Sequence, residues 1–340
     1  MASFFEKTLT AKKILVLDLG FLGDTVHLIP ALWMIKQSYA DAGLDVVVSS
    51  NVISLLDCFP WINKVWGYRR YPSHATFIET LLFVKNLRKQ KYDVVINLNG
   101  SDRSSWLGLF SGAPERLGRL TSRGERKMTR IFFTDHVQHP YGSEPVFVQR
   151  CRCLEKAGLM WIEPSFHCEV EAEFLVGTGI NLEKSKQYFH VSPFTTADRK
   201  ELPLELIVEL INGLNERWPS KKIVLSCAPI ERELMKMEEL LSKLSFKPWH
   251  VFNGNLNLVQ LVAVIKHAIL HLSGDTGPMH ISVMTETPSI SWFQPTQFMD
   301  WVPRGFCHKV FFGTGNDDVY SSIGGVRPEQ ILNEISMQID

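Results

Sequence analysis

The stretch ILVLDLGFLGDT at residues 14–25 decides the fold class. Residues 14–19 form a short apolar run, typical of a strand buried on both faces of a parallel sheet. Gly20 and Gly23 then mark a tight turn. Residues 25–39 follow with apolar side chains at the three- and four-residue spacing of a helix. Ligands of open parallel sheets bind at the carboxyl ends of strands, so this turn is a candidate site.

The same succession of strand, turn and helix recurs along the chain. In the first half we predict strands at 44–49 and 92–98 and helices at 76–89 and 145–159, whereas residues 101–141 show no clear period. Periodicity weakens at 164–186 and then restarts. The second half has predicted strands at 187–193, 222–226, 268–273 and 288–293, and predicted helices at 203–217, 231–244, 256–266 and 328–339. Strands that alternate with helices imply parallel sheets with right-handed crossovers.

We therefore predict an α/β fold with two Rossmann-like domains that face each other across a cleft, which would be the default ligand site. The first domain covers residues 1–165 and the second covers residues 185–326. The final helix, within residues 327–340, is expected to pack back on the first domain.

Composition excludes several classes of protein. The 340 residues carry 36 Lys and Arg against 36 Asp and Glu, and this balance argues against a general nucleic-acid binder. The six cysteines lack the spacing of a zinc site, so we expect buried, reduced thiols. No signal peptide and no apolar run of membrane-spanning length is visible, which favours a cytoplasmic protein.

A glycine-rich motif, SGDTGPMH at residues 273–280, joins a predicted strand to a predicted helix. Glycines let a backbone approach a ligand closely, and the N–H groups at a helix start bind phosphate. The motif makes Asp275, Thr276 and Gly277 candidates for contact with a phosphorylated ligand. The alternative is an ordinary strand–turn–helix connection with a cap.

Two further groups of polar residues have a candidate function and a plain alternative. After the first strand of the second half, Thr195, Thr196 and Lys200 have the chemistry to hold a diphosphate, although a solvated loop would look the same. Asp24 opens a helix, so its alternative role is a helix cap. The first half also carries an arginine cluster suited to carboxylate and phosphate groups, with solvation as its alternative: Arg103, Arg116, Arg119, Arg123, Arg126 and Arg130.

Taken in this order, the motifs resemble those of the ADP-heptose:lipopolysaccharide heptosyltransferases, a glycosyltransferase family with the two-domain GT-B architecture. Residues 22–32 are similar to that family's glycine–aspartate segment, and residues 273–280 resemble its S-x-D-[ST]-G-x-x-H signature. Residues 287–296 resemble its T-P…G-P-T tail, with Gln294 where the family usually has glycine. The resemblance covers nearly the whole chain except the middle of the first half.

The resemblance implies a role for each matched residue. Asp24 would be the general base on the acceptor hydroxyl, with Gly23 beside the donor. The diphosphate would contact Thr195, Thr196 and Lys200, and the sugar–phosphate end would contact Asp275, Thr276 and Gly277. His280 matches a family position at the donor-binding site, where we interpret its role as structural or as support for the residues that touch the donor. Either Glu231 or Glu233 would bind the ribose, and the arginines Arg103, Arg116, Arg119 and Arg123 would bind an acidic acceptor.

The implied reaction is inverting transfer of a heptose from ADP-heptose to inner-core lipopolysaccharide or a related acidic glycan. ADP-heptose is a substrate, so no cofactor is expected, and no metal is expected because no D-x-D pair ends a strand. Peripheral contact with the inner membrane is compatible with this acceptor. The alternatives are a sugar-nucleotide 2-epimerase, a transferase for another nucleotide sugar, a nucleotide-sugar sensor, and a nicotinamide oxidoreductase, which the missing G-x-G-x-x-G disfavours.

Overall fold

The computed structural model describes residues 2–70, 73–120, 131–139, 142, 144–181, 183, 186–294, 299–314 and 323–339. The chain divides into two compact units, Met1–Glu169 and Val170–Asp340. Their boundary lies in the segment between the two predicted domains. No helix in the described part of the chain is both long enough and apolar enough to cross a lipid bilayer.

The first unit is an alternation of strands and helices. Its described strands are β1 (Lys13–Leu17), β2 (Gly43–Ser49), β3 (Lys64–Tyr68), β4 (Val94–Asn97), β5 (Glu115–Leu120) and β6 (Asp135–Gln138). Its described helices are α1 (Phe4–Thr8), α2 (Leu22–Ser38), α3 (Phe77–Lys89), α4 (Asp102–Ser111) and α5 (Val146–Lys156), with a 3-10 segment at Ser50–Cys58.

The six strands of the first unit form one parallel sheet in the order β3-β2-β1-β4-β5-β6. The chain changes direction across the sheet between β1 and β4, whose residues Leu17 and Asn97 are paired. This is the topological switch point at which such sheets bind ligands. Asp18 and Asn99 follow the two strands there.

The second unit repeats this plan. Its described strands are β7 (Tyr188–Ser192), β8 (Lys222–Cys227), β9 (His250–Asn253), β10 (Leu270–Gly274), β11 (Ser289–Phe293) and β12 (His308–Phe312). Its described helices are α6 (Leu204–Arg217), α7 (Glu231–Lys243), α8 (Leu258–Lys266), α9 (Gly277–Met284) and α10 (Pro328–Ile339), with 3-10 segments at Ala172–Leu175, Asp198–Lys200 and Met299–Trp301.

The second sheet is also parallel, in the order β12-β11-β10-β7-β8-β9, and its switch point lies between β7 and β10. The motif with Thr195, Thr196 and Lys200 follows β7, and the glycine-rich motif at residues 273–280 continues from the end of β10. The predicted pair of doubly wound, Rossmann-like units is therefore confirmed. The fold places both motifs at the edge of the sheet where ligands bind.

The final helix, α10, packs into the apolar core of the second unit. Ile331 and Ile335 are fully buried in the apolar cluster that also contains Ile211 and Leu214 of α6. At the rim, the Arg217 guanidinium contacts the Glu329 carboxylate at 2.6 Å. The four-residue spacing of its apolar side chains gives α10 a stripe that α6 covers.

A row of polar side chains crosses the interior of the second sheet. His190 and His271 are fully buried, their rings are stacked, and their Nδ1 atoms are 2.9 Å apart. Burial lowers the pKa of His190 to about 3, so both rings stay neutral and one must donate to the other. The outer nitrogens contact Ser226 and Ser273 at 3.0 Å, so the row reaches the residue before Gly274.

Candidate active site

A buried ion pair occupies the switch point of the first unit. The Asp18 side chain is fully buried, and its Oδ2 lies 2.7 Å from the guanidinium of Arg150 on α5. Its Oδ1 accepts hydrogen bonds from the Gly20 N–H at 2.8 Å and from Asn99 Nδ2 at 3.2 Å. Asp18 thus ties together the ends of β1 and β4 and the predicted turn.

Asp24 lies beside this pair, in the first turn of α2. The helix begins at Leu22, three residues before the predicted start, because Asp24 Oδ2 accepts the Phe21 N–H at 2.9 Å. The carboxylate therefore does act as a helix cap. Its second oxygen, Oδ1, lies 3.5 Å from Arg150, and the side chain is 26% exposed. One oxygen holds the helix start while the residue still reaches solvent.

The surroundings of Asp24 raise the pKa of its carboxyl group above the ordinary range. Burial is the largest cause and the negative charge of Asp18 is the second. The cation of Arg150 and the Phe21 N–H oppose them without cancelling them. A carboxylate with a raised pKa is a stronger base, and a perturbed carboxylate in a ligand-binding turn is a candidate for general-base catalysis.

The turn has to be glycine where Asp24 packs against it. A Cβ placed on Gly20 would lie 2.1 Å from the Asp24 Cβ, a distance that only a displaced carboxylate would relieve. Gly23, at the second position of α2, is half-buried next to Asp24. The glycine spacing in the sequence therefore reflects close approach of the Asp24 side chain to the backbone.

Asp18 and Arg150 are not among the site residues predicted from the sequence. Asp18 had a signal, because it is an acidic residue next to a buried apolar run. Arg150 had a weaker sequence signal. The buried residues of α5 follow the three- and four-residue spacing of an apolar stripe, but Gln149 and Arg150 are polar residues at two of these positions. Arg70 was also missed; its guanidinium donates to the Leu19 carbonyl and lies 5.3 Å from the Phe21 ring.

The switch point of the second unit brings two predicted donor residues together. Lys200 ends the 3-10 segment after β7, and Asp275 follows β10. Their side chains form an ion pair with Nζ 2.5 Å from Oδ2, and both are partly exposed, by 28% and 18%. A lysine held at the carboxyl edge by one carboxylate is positioned to exchange that partner for an anionic ligand.

Gly274 lets the two loops interlock. A Cβ at Gly274 would lie 2.7 Å from the Lys200 carbonyl oxygen and 2.9 Å from Trp292 Nε1. A larger residue would therefore push away the segment between β7 and α6 that carries Lys200, residues 193–203, which we call the lysine loop. Helix α9 begins at Gly277, and the preceding Thr276 side chain makes no capping hydrogen bond to it. The start of a helix carries partial positive charge, next to Lys200 in this site.

Two ion pairs to a buried carboxylate support the loop that carries Lys200. Glu201 is buried and accepts the Thr195 N–H at 2.7 Å, while Arg232 and Lys236 of α7 lie 2.8 and 2.7 Å from its carboxylate. Arg232 also donates to the Thr195 carbonyl at 2.6 Å. These contacts fix the backbone on either side of Lys200.

Other predicted donor residues have mixed surroundings. Thr195 is buried, and its hydroxyl donates to the Ala197 carbonyl at 2.8 Å, whereas Thr196 is exposed. Glu231 is exposed, but Glu233 is buried and accepts the Ala228 N–H at 2.8 Å. His280 is buried with its ring 5.5 Å from that of Trp301, and burial lowers its pKa to about 4.

Gln294 occupies the position at which the heptosyltransferase motif usually has glycine. Its Nε2 donates to the Arg199 carbonyl at 2.6 Å, so it ties the end of β11 to the lysine loop. The last two residues of the predicted tail, Pro295 and Thr296, lie outside the described residues.

The three described arginines of the predicted cluster, Arg103, Arg116 and Arg119, have different surroundings. Arg116, near the start of β5, donates to the carbonyls of Phe132 and Ala113 at 2.7 Å. These contacts lie at the amino end of β5, whereas ligands of such sheets bind at the carboxyl ends of the strands. Arg119 is buried and donates to Gln149 at 2.9 Å. Arg103, at the start of α4, is part-exposed and lies 2.7 Å from His74. Arg123, Arg126 and Arg130 lie outside the described residues.

Two doubly wound units, with a carboxylate of raised pKa in the first and a lysine beside a glycine-rich loop in the second, have the architecture and side-chain chemistry expected of a glycosyltransferase with two Rossmann-like domains. The family model described as "Glycosyltransferase family 9 (heptosyltransferase)" matches residues 80–312. The match covers more than half of the chain, and the chain belongs to this family.

Individual relatives agree with this assignment. The chain is 24% identical over 291 residues to lipopolysaccharide heptosyltransferase 3 of Escherichia coli K12, with 83% of this chain and 82% of the relative covered. A family 9 glycosyltransferase structure from Veillonella parvula matches at a TM-score of 0.82 and 18% identity, over 96% of each chain. The structure of the E. coli heptosyltransferase WaaC with ADP matches at 0.77 and 18% identity, over 96% and 99%. The epimerase and oxidoreductase alternatives are therefore not supported.

Proposed function

We propose that this enzyme transfers heptose from ADP-heptose to an inner-core lipopolysaccharide or related acidic glycan, with inversion at the anomeric carbon. The observation that carries the proposal is that each unit has one candidate site at its switch point: a carboxylate with raised pKa in the first unit, and a lysine with a glycine-rich loop in the second. Relatives named lipopolysaccharide heptosyltransferases support the choice of sugar and acceptor.

Asp24 acts as the general base in this proposal. Its Oδ1 takes the proton from the acceptor hydroxyl while that oxygen forms a bond to the anomeric carbon of the heptose. A positioned base contributes about 10²–10⁴-fold to the rate. The raised pKa favours proton transfer, and Arg150 stabilises the carboxylate in its ionised form before the reaction.

Lys200 stabilises the leaving group. The bond between the anomeric carbon and the phosphate oxygen breaks, and its electron pair leaves with ADP. The Lys200 ammonium exchanges Asp275 for the diphosphate, and the start of α9 faces the same negative charge. Asp275, freed from the lysine, accepts hydrogen bonds from heptose hydroxyls, and the hydroxyls of Thr196 and Thr276 contact the phosphates.

We assign the nucleoside contact to Glu231 in preference to Glu233. Glu231 is exposed at the start of α7, where its carboxylate is available to the ribose hydroxyls. Glu233 already accepts the Ala228 N–H, and its pKa is raised because it is buried. Thr195 and His280, both buried, would shape the site without touching the donor.

The chain's own cations take the place that a metal has in other nucleotide-sugar enzymes, and the reaction requires no cofactor. Transfer should therefore persist at an unchanged rate in EDTA, measured as ADP release with and without added Mg²⁺ after exhaustive chelation. A rate that falls with EDTA and recovers with Mg²⁺ would contradict this part of the proposal.

On the acceptor side we propose Arg103 and Arg70, two part-exposed arginines of the first unit, as contacts for acidic groups. Lipopolysaccharide is held in a membrane by its lipid, so the enzyme would work in the cytoplasm and touch the inner membrane peripherally.

The arginines separate into two classes with opposite expected effects. Arg119→Ala should lower the free energy of unfolding by about 2–3 kcal/mol, because it leaves buried Gln149 without its charged donor, and the acceptor KM should stay unchanged. Arg103→Ala should raise the acceptor KM and leave unfolding unchanged. Urea denaturation measures the free energy of unfolding, and steady-state kinetics measure the acceptor KM. A raised acceptor KM for the Arg119 variant would mean that Arg119 does contact the acceptor.

Asp18 should set the pH dependence of the reaction through Asp24. Activity falls as the pH drops through the raised pKa of Asp24, because the base becomes protonated. Asp18→Asn removes a negative charge that raises this pKa, so the acidic limb of the kcat profile should move to lower pH. Asp93→Asn is the matched control, since Asp93 accepts the Lys13 N–H at the opposite end of β1, at 2.9 Å. If the acidic limb of the Asp18 variant stays at the wild-type pH, the limb does not report the protonation of Asp24.

Calorimetric titration with ADP, UDP, GDP and their sugar conjugates tests the proposal. Selective binding of ADP and ADP-heptose, followed by heptose transfer to a core saccharide, is the expected result. Selective UDP or GDP binding would assign another nucleotide sugar to the same fold. No binding by any of the three nucleotides would reject the donor site around Lys200.

A further inference from the structure

Helix α3 has apolar side chains on both of its sides. One side faces the core of the first unit, where Leu87 is fully buried and Phe83 and Val84 pack against the same cluster. The other side faces solvent with four large apolar residues at one- and four-residue spacing, exposed by 54–82%: Phe77, Ile78, Leu81 and Leu82. A surface helix normally carries polar residues there, so this side is available to a partner.

Helix α4 extends the apolar surface. Trp106 and Phe110 are both 43% exposed, and their rings are stacked with centroids 5.3 Å apart. Together with Phe77 they line a groove of about 450 Å³ between the two helices. We call the outer side of α3 with Trp106 and Phe110 the α3–α4 face.

Lysine and arginine side chains are enriched around this face, although the chain as a whole has no net charge. Residues 69–112, from the end of β3 to the end of α4, hold seven Lys or Arg against three Asp or Glu. At 100° per residue, Lys85 and Lys89 lie on the same arc of α3 as Leu81 and Leu82, and both are exposed. Arg103 lines the groove itself.

We propose that the α3–α4 face adsorbs to an anionic membrane surface, and this inference rests on the proposed lipid-linked acceptor. An apolar helix side with adjoining lysines lies in the interfacial layer of a bilayer, with the lysines at the lipid phosphates. Tryptophan is the side chain that favours this layer. A second copy of the chain is the poorer occupant, because a two-fold contact would place the same cations opposite each other.

The face is connected to the proposed acceptor site by α4. The helix that carries Trp106 and Phe110 begins at Asp102, and its Ser104 accepts a hydrogen bond from Asn97 at 3.0 Å. Asn97 is the last residue of β4, and Asn99 contacts Asp18. Adsorption through α3 and α4 therefore holds the bilayer surface near the residues that would receive a lipid-linked sugar.

Vesicle co-sedimentation of the full chain tests this inference. Vesicles of phosphatidylcholine with roughly 30% phosphatidylglycerol should bind the wild type, and pure phosphatidylcholine vesicles should bind it much less. Leu81→Gln with Leu82→Gln should weaken binding at least about tenfold, because two apolar side chains that would enter the bilayer are lost. Lys85→Glu with Lys89→Glu should weaken it similarly, and added salt should weaken the wild type.

Met235→Gln with Met337→Gln is the matched control, since both methionines are exposed in the second unit. It should bind vesicles like the wild type. Unchanged binding of the Leu81/Leu82 variant, or equal binding to both kinds of vesicle, would overturn the inference. So would a wild-type dimer that the Leu81/Leu82 substitutions dissociate, because the face would then be a protein interface.

A soluble acceptor distinguishes failure of this inference from failure of the proposed function. The Leu81/Leu82 variant should transfer heptose to a delipidated core saccharide at the wild-type rate, and to lipopolysaccharide in vesicles more slowly. Absence of transfer by the wild type to either acceptor would reject the proposed function and leave vesicle binding as a separate result. Equal rates of variant and wild type on the vesicle acceptor would reject the membrane role.

Discussion

Asp24→Asn is expected to lower kcat by about 10²–10⁴-fold, the contribution of a positioned general base. Asparagine has nearly the same shape as aspartate, and its side-chain oxygen can still accept the Phe21 N–H that starts α2. The variant therefore keeps the helix cap and loses the proton acceptor. Single-turnover transfer of labelled heptose measures the loss, while calorimetric affinity for ADP should stay within about twofold, since the base does not touch the nucleotide.

The choice of asparagine separates the two roles of Asp24. If the carboxylate served only as a cap, Asp24→Asn would retain activity, and Asp24→Ala would lose about 1 kcal/mol of stability without a specific loss of rate. If it is the base, both variants lose rate together, and only the alanine variant also melts earlier. Thermal unfolding of both proteins beside the kinetics gives this comparison. Full activity of the asparagine variant would exclude Asp24 as the base.

The sequence predicted those elements whose burial leaves a continuous apolar pattern. Residues 14–19 and 268–273 lie in the middle of their sheets, where both faces are covered, and the glycine turns that follow mark the carboxyl edge. These two strands therefore locate the turn that carries Asp24 and the loop that carries Asp275. The four-residue spacing in the final helix was also visible, but spacing cannot say which apolar surface covers a helix, and α10 packs on α6.

The strands that the sequence analysis missed lie at or next to the edges of the sheets. β3, β6, β9 and β12 are edge strands, and β5 lies next to β6. An edge strand is covered less completely, so charged and polar residues interrupt its pattern, as in His136 of β6 and Lys309 of β12. Local periodicity is too weak there to distinguish a strand from a loop.

Charged side chains were the least predictable part of the site. Arg103, Arg116 and Arg119 look equivalent in the sequence, yet one is part-exposed, one binds backbone carbonyls and one is buried against Gln149. The partners are distant along the chain, so no local pattern encodes them. The Asp18–Arg150 pair is the same case, because a residue at a strand end pairs with one on a helix 132 positions later in the chain.

Lys200→Ala is expected to weaken ADP binding about 10–100-fold and to lower kcat by about 10²–10³-fold, as for removal of one charge-stabilising donor. The effect on kcat is the larger one because negative charge on the diphosphate grows as the sugar leaves. Lys243→Ala is the matched control: this lysine also pairs with a carboxylate, Glu239 at 3.3 Å, on the exposed face of α7. Calorimetry with ADP and single-turnover transfer measure the two effects separately.

A double-mutant cycle with Asp275 tests the exchange of partners. Without Lys200 the Asp275 carboxylate has lost its cation 2.5 Å away and repels the diphosphate, so Asp275→Asn should restore part of the ADP affinity in the Lys200→Ala background. In the wild-type background the same substitution releases the lysine but removes a contact to the sugar, so ADP should bind at least as well and ADP-heptose should turn over more slowly. Additive effects of the two substitutions on ADP affinity would mean that Lys200 and Asp275 keep their ion pair when the donor binds. Unchanged affinity of Lys200→Ala would place the diphosphate away from this loop.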